Sequence, residues 1–378
     1  MTSLNAYKNS VAKRSFLILT LSAVLLSACG GSPGATETAD STPTGMVEPS
    51  PTSVPPSPTA ASTETATPVP TSTPLPSGVW GEAAQLRSAR SEMPAVLLDG
   101  RIYVISGLKT GPLLPTQRTS EMYDIASDEW LPIASIPQDR HHGMAAAYQG
   151  KVYYFGGSPE GSLAGTKESW VYDPALDQWD EIAPLPVHRS AGFAVVYSDF
   201  IYIMGGVGAS HSHSDDDELE DNGETLRYDP STNEWTLLSP PLQRREHVTA
   251  ALIGDQIYVF GGRWVDEELD TSDIYDPATD TWKKGPDLPE PRAGNGIAVL
   301  NGLVYLIGGE IWMSGPETTL YSVDVYDPVT DSWSSLPDLS FPLHGVPAVA
   351  SGDRLYVIGG STIAAMANNT KRLFIFQP

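Results

Sequence analysis

Cysteine is nearly absent from this chain: Cys29 is the one cysteine in 378 residues, so no intramolecular disulfide is open to it. Basic residues are scarce as well. Lys and Arg number 22 against 46 Asp and Glu, a formal charge of −24. Such a surface repels phosphate backbones and anionic headgroups, which argues against nucleic acid as a partner. Beyond the first 28 residues no apolar run is long enough to cross a bilayer as a helix. No nucleophile motif or zinc-ligand spacing is present. The paired glycines end apolar runs and open no helix, so they are not phosphate-cradling loops.

What the chain does have is a repeat of about 50 residues, the length of one propeller blade. Trp80, Trp130, Trp179, Trp235, Trp282 and Trp333 are each followed ten positions later by a marker, which is Arg90, Arg140, Arg189, Arg245, Arg292 or, once, Leu343. A short apolar stretch comes next, then a tight turn and an aromatic-aliphatic run ending in paired glycines. In the second unit these are Met144 to Tyr148, Gln149-Gly150, and Lys151 to Gly157. Two apolar runs about a Gly-containing turn predict a β-hairpin. After a variable loop, a third strand ends in Tyr-Asp at Tyr123, Tyr172, Tyr228, Tyr275 and Tyr326, each seven residues before the Trp of a fourth strand.

This grammar resembles the Kelch repeat over residues 79 to 378, and the resemblance implies an all-β, six-bladed propeller with four antiparallel strands per blade. The sixth unit stops at Phe376-Gln377-Pro378, where its Tyr-Asp-Pro should be, and has no fourth strand of its own. The segment around Trp80 carries the missing Trp. We therefore expect the last blade to be closed by the N-terminal strand, which removes an open edge.

Three segments follow from composition. Residues 1–28 have a basic start (Lys8, Lys13, Arg14) and a short apolar run ending in Leu26-Ser27-Ala28-Cys29, which resembles the lipobox of a bacterial lipoprotein signal. Cys29 is then the lipidation site. Removal of the signal leaves 19 basic against 46 acidic residues, a formal charge of −27. Residues 29–77 are rich in Pro, Thr and Ser, with too few apolar side chains to fold, and read as a disordered, semi-rigid stalk. Residues 78–378 are the propeller. The expected location is the cell envelope, with an exported propeller held to a membrane only by the Cys29 lipid.

Propeller sites sit on loops carried by the rigid strands. If related Kelch propellers are a guide, the loops after Gly-Gly and those beside the markers share a face. Large polar or aromatic residues there that the repeat does not demand are Arg263, Trp264, Glu310 and Trp312 after the glycines. Beside the markers they are His141, His142, Glu246, His247 and His344. Other units carry Ser190-Ala191 or Ala293-Gly294 at the same places. Taken singly, each of these residues reads first as an ordinary solvated loop side chain.

The third unit has the longest loop: 56 residues separate Gly206 from Gly262, against 47 to 51 between the other paired glycines. It holds His211, His213, Asp215 and Asp217, which are candidates for a weakly held divalent cation within 211–224, imidazole suiting zinc or copper and carboxylate suiting calcium. A charge run of this kind is usually a solvated loop. No other metal or cofactor is expected.

Three functional classes fit. The first and preferred one is a surface-anchored recognition module that binds a protein or a glycan through the loop face, with Trp264 and Trp312 exposed for stacking. The second is an enzyme. Galactose oxidase has a similar fold, but its copper site needs a cross-linked Cys that this propeller lacks. N-acetylneuraminate epimerase, an exported Kelch propeller, is a closer analogue. A sugar-anomer interconversion by acid-base catalysis needs a carboxylate with a cation or second acid, which Glu310 with Arg263, or Glu246 with His247, would supply. The third is a scaffold for a larger envelope complex. The sequence leaves the ligand and the oligomeric state open.

Overall fold

The computed structural model of the chain describes residues 78–209, 223–365 and 367–377. The expectations for the signal, Cys29 and the stalk, and for His211, His213, Asp215 and Asp217, lie outside the described residues.

Six four-stranded antiparallel sheets form the six blades. In the second blade the strands Met144–Tyr148, Lys151–Phe155, Ser169–Asp173 and Gln178–Glu181 pair in chain order, with Tyr172 opposite Trp179. The sixth blade is built as expected from both ends of the described chain. Val79–Glu82 pairs with Leu373–Gln377, so that Trp80 lies opposite Phe376 with ring centroids 5.0 Å apart. Trp80 Nε1 donates to the Pro337 carbonyl at 3.1 Å, and Arg372 Nη1 meets Glu82 at 2.6 Å.

The core is divided rather than central. Six clusters of buried side chains each lie between two neighbouring blades, as where Val96, Tyr103 and Ile105 pack on Val152, Tyr154, Trp170 and Tyr172. The repeated Tyr serves this wedge: Tyr103 and Tyr172, from successive blades, have centroids 6.0 Å apart. Each ring removes about 150–250 Å² from water, a gross gain of about 4–6 kcal/mol. The Tyr hydroxyls donate to the side chain five residues on (Asp128, Asp177, Asn233, Asp280 and Asp331). Four of those acceptors also take a backbone N–H from just after the preceding blade, namely Ala84, Ala134, Ala183 and Ser239, which clasps the blades together.

The marker arginines are frame, not surface. Arg90, Arg189, Arg245 and Arg292 are fully buried, and each donates Nη1 to the carbonyl sixteen residues on, at Ser106, Gly205, Gly261 and Gly308. Glu121, Asp273 and Asp324 balance three of these charges. Where the repeat has Leu343 instead, the matching position on the third strand is Phe374, and the pair is apolar.

Candidate functional site

The residue two places after each marker occupies the innermost position of its blade. In chain order these are Glu92, His142, Ala191, His247, Gly294 and Gly345, all in the left-handed region with φ between 50° and 62°. Their main chains form a closed ring. Glu92 N–H donates to Gly345 C=O, His142 to Glu92, Ala191 to His142, His247 to Ala191, Gly294 to His247 and Gly345 to Gly294, at 2.7–2.9 Å. A left-handed non-glycine residue costs about 1 kcal/mol or more. The ring bond each residue gains offsets that cost and fixes its side-chain direction.

Outside this ring lies a second one. The residue directly after each marker pairs with the residue after the glycines, including His141 with Ser158, Glu246 with Arg263, Ala293 with Glu310 and His344 with Ser361. The marker loops and the Gly-Gly loops therefore share one face, as expected. Blades four and five add an element the sequence reading missed. Arg263–Trp264 pairs with Glu267–Glu268, and Glu310–Ile311 with Thr318–Thr319, so these segments are small hairpins and not plain loops.

The two rings bring seven sequence candidates together. His141, His142, Glu246, His247, Arg263, Glu310 and His344 are all 8 % exposed or less, so the solvated-loop reading fails for every one. Arg263 sits among them. Its Nε is 2.8 Å from Glu246 Oε1, its Nη1 2.9 Å from Glu310 Oε1, and its Nη2 3.1 Å from His247 Nε2. A guanidinium has only protons to offer, so His247 Nε2 accepts and its proton is on Nδ1, 3.4 Å from Glu246 Oε2. Glu310 Oε2 accepts from the Ala365 N–H at 2.7 Å and lies 3.3 Å from His344 Nδ1.

One member was missed. Glu92 stands 3.3 Å from His142 Nε2 and 3.4 Å from His344 Nδ1, its side chain 11 % exposed. The signal that would have found it was present, since Glu92 has the same offset from Arg90 as His142 has from Arg140 and His247 from Arg245. Its carboxylate fits because Gly345 is small: a Cβ on Gly345 would collide with it.

Charge within the cluster is sorted by neighbours. Burial opposes the charge on Glu92, but the imidazoles of His142, His344 and His247 outweigh it and hold the carboxyl well below the usual range. Burial pushes His142 well below its ordinary value, with Glu92 opposing, and brings His141 down to about 4. Burial also disfavours charge on His344, yet Glu310 and Glu92 raise it to about 9. At neutral pH His344 is therefore an imidazolium, while burial keeps His141 neutral. His142 Nδ1 faces His141 Nδ1 in a close imidazole pair.

Trp264 and Trp312 depart from expectation. Both are half-buried rather than exposed, and each has a guanidinium over its ring: Arg244 on Trp264 at 5.8 Å and Arg263 on Trp312 at 5.1 Å. Glu268 holds the Trp312 segment in place by accepting the N–H groups of Trp312, Met313 and Ser314 at 2.7–3.0 Å.

A cavity of about 110 Å³ lies on the inner side of the first ring. Glu92, His142, His247 and Asn295 line it, among apolar walls from Met144, Phe193, Val248 and Ile297. Glu246, Arg263 and Glu310 are not on its wall.

Comparison with known proteins agrees with this architecture. Residues 215–360 match the family model of the KLHDC2/KLHL20/DRC7 Kelch-repeats domain. The Kelch-like protein terF of Aspergillus terreus is 28 % identical over 309 residues, which cover 80 % of this chain and 56 % of terF. Kelch repeat and BTB domain-containing protein 13 of Homo sapiens is 35 % identical over 144 residues, 37 % of this chain and 31 % of that protein. The chain thus spans little more than half the length of the first of these relatives and about a third of the second. The solved structure of YjhT superposes with a TM-score of 0.65 at 17 % identity, covering 78 % of this chain and 97 % of YjhT. At that identity the likeness speaks for the fold alone.

Proposed function

We propose that this chain, a Kelch-repeat β-propeller of six blades, is a recognition module that takes a protein partner on the face carrying its Gly-Gly loops. The observation behind this reading is the make-up of that face. Leu113, Val265 and Ile363 stand in the loops after the glycines of blades one, four and six, exposed by 79 %, 42 % and 45 %. Aliphatic side chains offered from loops on a rigid frame suit the dry centre of a protein interface. A glycan would need free aromatic faces, and Trp264 and Trp312 have guanidinium groups over their rings. The protein partner is the better supported of the two.

The same reading places the propeller outside the cytoplasm on a lipid anchor at Cys29. Its support is the basic-apolar start, the Leu-Ser-Ala-Cys run and the Pro/Thr-rich segment.

The test is photo-crosslinking in envelope extracts, with the crosslinker at Leu113 or Ile363 and, as a control, at Leu176 in a Tyr-Asp-Pro turn of the other face. A discrete adduct from the loop face alone supports the reading. Equal labelling from both faces, or none, removes it.

A second reading, acid-base interconversion of sugar anomers, is favoured by one observation: ionisable groups line the axial cavity. The pair placed for it is Glu92 with His142, since Glu310, Arg263 and Glu246 lie off the cavity wall. Proton exchange spectroscopy on free aldoses decides it, and an unchanged anomer exchange rate discards it.

A further inference from the structure

We infer that Glu92, His142 and His247 form a binding site for one divalent transition-metal ion of the zinc class. They lie on blades one, two and four and converge on the propeller axis. One carboxylate oxygen and one ring nitrogen from each histidine lie within 4.8 Å of one another. The His142 Nε2 to Glu92 Oε2 separation is 3.3 Å. Two ligands bound tetrahedrally at about 2.0–2.1 Å stand roughly 3.3–3.4 Å apart, so this edge needs no adjustment.

Three further features belong to a metal site rather than to a chance polar contact. The ligand backbones are fixed by the ring of main-chain bonds, and the intervening positions are only Ala191, Gly294 and Gly345, which leaves the axis to the three large side chains. His142 also has an outer partner for its second nitrogen, His141 Nδ1, while the Glu246 carboxylate lies 3.4 Å from His247 Nδ1 as a charge neighbour without a hydrogen bond. Orientation by such partners is the usual support of metal-bound histidine. On the open side, the cavity is lined by Asn295, which is 3 % exposed. Asn295 Nδ2 donates to Thr249 and Gly296, while Oδ1 is buried with no hydrogen-bond partner. A water on the metal, facing the cavity, would donate to that oxygen.

Two imidazoles and one carboxylate with open positions is a donor set used by zinc and by non-haem iron(II). Loading at His247 Nε2 replaces the one hydrogen bond from Arg263 Nη2, while Arg263 keeps Glu246 and Glu310.

The test is calorimetric titration of the full chain, stripped with chelator, with zinc chloride at neutral pH. It is repeated on His142→Gln, Glu92→Gln and the double variant His211→Ser/His213→Ser, with folding of each verified by thermal melting. One zinc per chain is expected for the native protein and for the double variant. Loss of an orienting partner alone costs about 10- to 100-fold in affinity. His142→Gln, which removes a direct ligand, is therefore expected to bind on the order of 100-fold more weakly. Absence of stoichiometric binding overturns the assignment, and so does binding that survives His142→Gln but is lost in the double variant. Should the ligand variants fail to fold, the double variant loaded with cobalt(II) decides: the visible bands of imidazole-bound cobalt are expected, and their absence overturns the site.

Discussion

Arg263 and Glu310 come from adjacent blades and meet at 2.9 Å, with both side chains almost wholly out of water. Glu246 holds the same guanidinium from the other side at 2.8 Å. The group is held by its mutual charges, so removing one member leaves the others buried and unbalanced. Arg263→Met is expected to destabilise the propeller by about 3–5 kcal/mol. Chemical denaturation measures it, and a cost below about 1 kcal/mol would show that the cluster is not held by this cation.

The raised His344 gives a pH dependence of definite sign. Its folded-state value of about 9 lies above its ordinary 6.5, so its charge stabilises the fold fully below about pH 6.5. That contribution is lost as pH rises through 9. In chelator-treated protein the melting temperature should fall between pH 7 and 10, and His344→Gln should flatten that limb.

Ring closure rests on Trp80, packed against Phe376 and bonded to Pro337. Trp80→Ala is expected to cost about 3 kcal/mol, the lower end for losing a large buried aromatic side chain, because Trp80 is only half-buried. Hydrogen exchange should locate the loss in Leu373–Gln377, the strand it leaves uncovered. Loss spread evenly over all six blades would contradict a local clasp.

Gly345 is needed twice, for its φ of 55° and for the space its missing Cβ leaves to Glu92. Gly345→Ala should cost about 1–2 kcal/mol from the backbone alone. It should also displace Glu92 from the axis and weaken zinc binding. Unchanged zinc affinity in a folded Gly345→Ala protein would mean that Glu92 reaches the axis by another route.

Cys29→Ser tests the proposed lipid anchor. Metabolic labelling with a tritiated fatty acid is expected to mark the native chain and not the variant, which should move from the membrane to the soluble fraction. Equal labelling of both would remove the lipobox reading.

Blade number, strand order and the closure at Trp80 were all legible in the sequence, because each rests on residues at fixed offsets whose packing recurs six times. The polar cluster was half legible. His141, His142, Glu246, His247, Arg263, Glu310 and His344 stood out against the small residues at equivalent places in other blades. Glu92 sits at the same offset but does not stand out beside a serine and a conforming marker. Convergence was not legible: His142 and His247 are 105 positions apart in the chain, and only the propeller axis makes them neighbours. For the same reason no zinc-ligand spacing could appear in the sequence. The tryptophans misled because their partners, Arg244 on Trp264 and Arg263 on Trp312, are set by the hairpins of blades four and five, which have no counterpart in the repeat.

The hydrogen bonds that close the innermost ring are all main-chain bonds, and none of them needs a side chain to form. Each position is a slot that substitution can refill, within the limits set by neighbouring bulk and by a left-handed backbone that favours glycine. Glu, His, Ala, His, Gly and Gly is one spelling among many that the same circle would accept. Two propellers with superimposable rings are therefore free to differ completely in what they hold on the axis, and kinship in blade architecture is no guide to shared chemistry. Sorting such proteins by those six letters would group them by ligand where sorting by fold would not.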